Sequence, residues 1–270
     1  MRADGVLPAL STIVSAFFLI LAVYIYGSFV QQIRTRPPEP SVTPVRRFGW
    51  PEAFLACLLA FIFLAPALLI PRSQTHQIQN RDLITNALVT LGMLLAIAGF
   101  LRLRRFDLGA LGGFSKIGFS RTVVTGIVLM FAAYPLILLA DFLTQRLISN
   151  SPRKQEIVEL FSTSGTLEQR VLIITVAVSV APMVEEFIFR LFIYGVLKRY
   201  FGRGVGIIVS SLLFAAVHVH LPSFAPLFVL GTCFAIAYEW SGSLLVPMTM
   251  HALFNALTLT ALAFPELFPS

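Results

Sequence analysis

The sequence predicts an all-α fold, a polytopic integral membrane protein of about eight transmembrane helices. Three observations carry this. Hydrophobic residues make up 57% of the 270-residue chain and charged residues only 12%, with a mean hydropathy of +0.85; a soluble domain is about 25% charged. Several apolar runs reach the ~20 residues needed to cross about 30 Å of hydrocarbon at 1.5 Å per residue. No segment shows the ~10-residue alternation of a barrel strand, and a backbone in lipid must satisfy its own hydrogen bonds, which leaves helices.

The spans fall at 7–30, 51–71, 83–101, 122–145, 169–197, 204–219, 224–240 and 244–263. The first apolar run, Val6 to Val30, is too long for the roughly 7–15-residue core of a signal peptide, and no small-residue cleavage site follows it, so it reads as a spanning helix. Proline and glycine punctuate the joins: RPPEP at 36–40, IPR at 70–72, GGF at 112–114, SP at 151–152, HLPS at 220–223 and SGS at 241–243. The 31–50 loop, Pro-rich and basic, reads as a solvated linker. No internal repeat is visible. The chain divides into N-terminal transmembrane helices and loops, 1–167, and a second membrane block, 168–263, that holds the chemistry.

Charge sets the expected orientation. Loops 31–50, 102–121 and 198–203 carry twelve basic residues, and the alternate loops and termini carry seven. The positive-inside rule then places both termini outside. The formal charge of +7 reflects this topology and contact with anionic headgroups. A nucleic-acid partner is not expected, because no soluble aromatic-basic domain exists to hold one. Cys57 and Cys233 both fall within apolar spans and read as buried structural thiols, not as a disulfide framework.

The fifth span poses the chemical question. VAPMVEEFIFRLF, residues 180–192, places Glu185, Glu186 and Arg190 in an apolar helix. Each ion at a helix centre costs about 2.5–3.5 kcal/mol on insertion scales. Glu186 and Arg190 are four apart and can pair, whereas Glu185 is rotated ~100° away and has no partner in its own helix. Pro182 cannot donate to the carbonyl of Val178, so a kink is expected beside the pair. The sixth span ends with Phe214, His218 and His220, and the eighth contains His251 and Asn255, again four apart. Counted at 1.5 Å per residue from the basic side, Glu185 lies ~20 Å deep, His218 ~21 Å, His251 ~10 Å and Asn255 ~16 Å, so the four can converge in a wet internal cavity.

Glu185-Glu186-x-x-x-Arg190, then Phe214-x-x-x-His218, then His251-x-x-x-Asn255, on successive spans, resembles the CPBP family of CAAX-processing and bacteriocin-processing intramembrane endopeptidases, also called Abi or type II CAAX prenyl endopeptidases. The resemblance covers about residues 168–260. It implies hydrolysis of a peptide bond in a membrane cavity, with the lipid bilayer and a membrane-associated peptide or protein as partners; prenylated proteins are one substrate class of the family. A carboxylate in apolar surroundings suits the task of activating water, which makes Glu185 the base, helped by His218. His251 and Asn255 then supply oxyanion donors from one helix face. Glu186 and Arg190 are the structural pair, and His220 is left out.

Metal use stays open. Glu185, His218 and His251 are the ligands if a metal is bound, and Zn²⁺ with an open fourth position is the one they suit. The H-E-x-x-H signature is absent, and carboxylates to back the imidazole N–H groups look scarce, since Asp141 and Glu239 sit near span ends. Proteins of this resemblance are described both as metalloproteases and as glutamate-dependent enzymes; the metal-free mechanism is preferred here. Two other classes stand beside the enzyme. One is a non-catalytic membrane scaffold or bacteriocin-immunity-type protein on the same fold. The other is a proton-coupled transporter, which would also use intramembrane Glu, Arg and His but would be expected to show repeated halves. The expected location is a multi-pass position in a membrane, the cell membrane in a bacterium.

Overall fold

A computed structural model describes residues 6–36, 47–69, 80–114, 118–148, 161, 166–264 and 266. Half of the Pro-rich 31–50 loop (37–46), the end of the second expected span and the joins at 70–72 and 151–152 lie outside these residues. Among the described residues every regular element is helical. In chain order they are α1 (Val6–Thr35), α2 (Trp50–Leu69), α3 (Asn80–Leu103), the short α4 (Leu108–Gly112), α5 (Phe119–Leu147) and α6 (Leu167–Thr175). A π turn (Val176–Val180), α7 (Ala181–Glu186), a second π turn (Phe187–Ile193), α8 (Tyr194–Ala216), α9 (Leu221–Ser241) and α10 (Leu245–Ala263) follow.

Among the described residues six helical runs are long and apolar enough to cross a membrane, and Trp50–Ala65 is a shorter apolar helix. One of the six, Leu167–Ala216, holds two of the expected spans. The chain breaks at Gly202, whose φ of 82° and ψ of 171° only glycine adopts readily. It then folds back, so that Gly206 packs on Tyr194 and the backbone of Lys198. Counting that hairpin as two and adding α2 recovers all eight expected spans. The protein is a multi-pass, all-α integral membrane protein.

α9 is the centre of the body. It packs against α8, α5, α1 and α10, while α10 also packs on α5 and on the stretch from Val176 to Glu186. The outer faces of α1, α3 and α5 keep large apolar side chains exposed, including Phe17, Leu88 and Phe131, as lipid-facing helices do. Cys233 is buried as expected, but Cys57 is not. It sits on an outward face of α2, because a helix at the edge of the body buries only one side.

The basic loops do share one side. Glu239, near the end of α9, takes Tyr194 Oη at 2.7 Å, Lys198 Nζ at 2.6 Å and Arg203 Nε at 2.9 Å. Arg36 at the end of α1 donates to the carbonyls of Glu239 and Trp240, and Arg203 donates to the carbonyl of Ile33. Glu52 of α2 pairs with Arg104 beyond α3 at 2.8 Å. Tyr238 Oη and the Leu244 N–H donate to the carbonyls of Leu111 and Gly112 at the end of α4. Every one of these contacts ties helix ends together at the basic face.

Candidate active site

Pro182 shapes the backbone first. In the π turn before it, the Ala181 N–H bonds back to Val176 O, five residues away. Continued by one residue, that register would need an N–H from Pro182 for Ala177 O, and proline has none. The Ala177 carbonyl is instead taken by Asn255 Nδ2 of α10, at 2.7 Å. The kink expected at Pro182 is thus a π turn, and a side chain from a distant helix satisfies the group it frees. The second π turn follows Glu186 directly and carries Arg190.

Glu186 is fully buried and divides its oxygens between two partners. Oε2 lies 3.0 Å from Arg190 Nε, an ion contact by distance though not a well-directed hydrogen bond. Oε1 accepts from His251 Nδ1 at 2.9 Å. Arg190 Nη2 also donates to Gly231 O at 3.3 Å, and its guanidinium lies 4.3 Å from the centre of the Phe214 ring and 5.3 Å from that of Phe234. An arginine is held in this core by an anion, a carbonyl and two aromatic faces. The close approach at Gly231 is needed, since an added Cβ would meet Phe214 at 3.1 Å and Arg190 Nη2 at 3.3 Å.

Glu185 differs from its neighbour. Its side chain is 30% exposed, and its Oε2 is buried with no hydrogen-bond partner. That oxygen lies 3.9 Å from His251 Nε2, too far for a direct hydrogen bond. Both face a cavity of ≈ 380 Å³ whose polar lining includes Glu185, His218, His251 and Asn255. Leu227, Leu230 and Phe254 are among its apolar walls.

Hydrogen-bond partners settle the histidine tautomers. His218 Nδ1 lies 2.7 Å from Phe214 O, which can only accept, so Nδ1 carries the proton and a neutral ring keeps a lone pair on Nε2. The same holds for a neutral His251, whose Nδ1 proton goes to Glu186. His251 donates from Nε2 only as the doubly protonated ring, with Glu186 as its counter-charge. His220 is occupied with Ser223 Oγ at 2.7 Å and does not line the cavity.

The structure therefore gathers Glu185, His218, His251 and Asn255 at one cavity and sets Glu186 and Arg190 behind it. Sequence reasoning missed the Glu186–His251 contact, which joins residues 65 apart in the chain. It also treated supporting carboxylates as scarce, whereas Glu186 backs His251 directly. The missed signal was the adjacent carboxylate itself, which can pair with Arg190 through one oxygen and serve a second helix through the other.

Residues 167–257 match the family model described as type II CAAX prenyl endopeptidase Rce1-like. The matched segment contains every residue of the site. Two curated proteins are similar over the same kind of length. One is the membrane-embedded CAAX protease MroQ of Staphylococcus aureus (strain USA300), 34% identical over 82 residues, which are 28% of this chain and 33% of that protein. The other is the uncharacterized protein YpbD of Bacillus subtilis (strain 168), 38% identical over 76 residues, 27% of this chain and 36% of that protein. The chain thus spans about a third of the length of these curated relatives. No solved structure matches it.

Proposed function

We propose that the chain is an intramembrane endopeptidase that hydrolyses a peptide bond of a membrane-associated protein or peptide, lipidated or not. The observation that carries this reading is the unpartnered, buried Glu185 oxygen facing His251 across a cavity within the helical body. The Rce1-like match over the same residues supports the reaction class.

In this reading a water sits between Glu185 Oε2 and the imidazoles. His218 Nε2, with its lone pair, accepts one water hydrogen and orients the molecule. Glu185 removes the proton as the oxygen attacks the scissile carbonyl carbon. The oxyanion takes hydrogen bonds from the second Nδ2 hydrogen of Asn255, whose first is held by Ala177 O, and from Nε2–H of a protonated His251. Glu185 then returns its proton to the departing amine. Glu186 and Arg190 touch no reacting atom; Glu186 holds His251 and is its counter-charge, and Arg190 fixes the other oxygen of Glu186.

Zn²⁺ is the alternative cofactor. Two Nε2 lone pairs and a carboxylate are suitable donors, and Phe214 O and Glu186 stand behind the Nδ1 atoms as metal-bound imidazoles require. Glu185, His218 and His251 would hold it. Among the described residues, though, no three such side chains are gathered about one point, so the arrangement does not fit a closed three-ligand site and no step is derived through a metal.

The test compares membranes containing the wild-type protein with membranes containing Glu185→Gln, by quantitative proteomics of peptide termini. New termini that depend on Glu185 are expected. Identical termini in both would refute hydrolysis and favour a scaffold or transport role.

A further inference from the structure

The apolar body of the cavity carries a polar rail. His251, Asn255 and Thr258 stand at relative positions 0, 4 and 7 on α10, so they share one face, and all three line the cavity. From His251 to Thr258 the helix rises ~10.5 Å. Across from the rail, α3 contributes Leu83 and Asn86, three apart on its own near face. Leu83 belongs to one small apolar cluster with Ile173 and Leu259, which places this part of α3 and the end of α10 around the same apolar patch.

Asn86 is the odd residue of the opposite wall. It is six residues from the start of α3, ~9 Å, and Thr258 is five from the end of α10, ~8 Å. α3 runs toward the basic face and α10 away from it, so the two residues stand at matching height. Asn86 is an exposed residue whose backbone carbonyl accepts from Thr90 Oγ1 and whose carboxamide has no hydrogen-bond partner among the described residues, so it is open to a ligand in the cavity it lines. Thr258 donates to Phe254 O at 3.0 Å, which leaves its oxygen free to accept.

A carboxamide offers one acceptor and a paired donor, the same complement that a peptide unit presents in reverse. An extended peptide advances about 3.3 Å per residue, so ~10.5 Å is about three residues. We propose that Asn86 binds the backbone of an extended substrate peptide about three residues from the bond hydrolysed at Glu185, with Thr258 as the acceptor facing it. Leu83 and Leu259 flank that position and select an apolar side chain there. This assignment rests on the hydrolytic reading of the site and adds to it a residue from the N-terminal helices.

The probe is an internally quenched, predominantly apolar peptide, chosen from a library for cleavage by the wild-type protein in detergent micelles. Asn86→Leu should raise KM about tenfold, the size of one lost hydrogen bond, with kcat within about twofold. Asn86→Gln should recover part of that loss. An ester in place of the peptide N–H about three residues from the cleaved bond should weaken the wild type similarly and leave Asn86→Leu unaffected. The same peptide, fluorescently labelled, is titrated by anisotropy onto Glu185→Gln and onto Glu185→Gln/Asn86→Leu, a comparison that needs no turnover. Equal affinities there, an unchanged KM in Asn86→Leu, or an ester penalty that persists in Asn86→Leu would overturn the assignment. A library that binds and responds to Asn86 but is never cleaved would overturn the hydrolytic reading instead, and a library that neither binds nor is cleaved would sink both.

Discussion

Two adjacent carboxylates should respond in opposite ways to the same one-atom change. Glu186 is fully buried, with Arg190 Nε at 3.0 Å and His251 Nδ1 at 2.9 Å. Replacing it by Gln keeps an acceptor for His251 but leaves the Arg190 guanidinium buried without an anion. Removing one partner of a buried pair costs about 3–5 kcal/mol, most of it from the stranded charge. The Phe214 and Phe234 faces offset part of this, so about 3 kcal/mol is the expected loss, a factor of more than 100 in the unfolding equilibrium. Glu185→Gln removes a charge whose Oε2 has no hydrogen bond, whose contact with His251 is as long as 3.9 Å and whose side chain is 30% exposed, so its effect on stability should stay within about 1 kcal/mol. Reversible unfolding in mixed detergent–SDS micelles measures both. On the mechanism proposed, Glu185→Gln also abolishes hydrolysis while folding normally. Equal destabilisation by the two variants, or a Glu186→Gln protein as stable as wild type, would refute the division into base and brace.

Asn255→Ala should lower hydrolysis and also destabilise the fold by about 1–3 kcal/mol, because Ala177 O loses the donor that replaces the missing N–H of Pro182; an activity loss with unchanged stability in the same SDS titration would contradict the bracing contact. Gly202→Ala should cost about 1–3 kcal/mol through backbone strain alone, since φ is 82° and an added Cβ meets nothing within 4 Å; a neutral result would mean the α8 turn adopts another conformation. Active, chelator-washed protein should hold no stoichiometric zinc by elemental analysis, and His251→Ala should impair turnover without releasing metal. One tightly held zinc per chain, with activity lost on stripping and regained on return, would make Glu185, His218 and His251 ligands.

Much of the architecture was legible in the chain because lipid is an undemanding reader. A run of apolar residues long enough to cross hydrocarbon must be helical, whatever it packs against, so the spans and the shared side of the basic loops followed from composition and position. The pairing of Glu186 with Arg190 was equally local, fixed by four-residue spacing. The intramembrane Glu185, His218, His251 and Asn255 stood out because polar groups are costly there. Contacts between helices were not legible, since spacing within one helix says nothing about rotation toward another. Only the packing of α10 on α7 shows that Glu186 serves His251, leaving Nε2 of that ring as the atom facing Glu185. Only the π turn at Val176–Val180 shows why Asn255 is held by Ala177. Asn86, in a helix with no recognisable motif, gains its meaning solely from facing α10 across the cavity. The sequence by itself determined which residues are polar in the membrane; the tertiary structure decided which atom of each is already committed and which is left for chemistry.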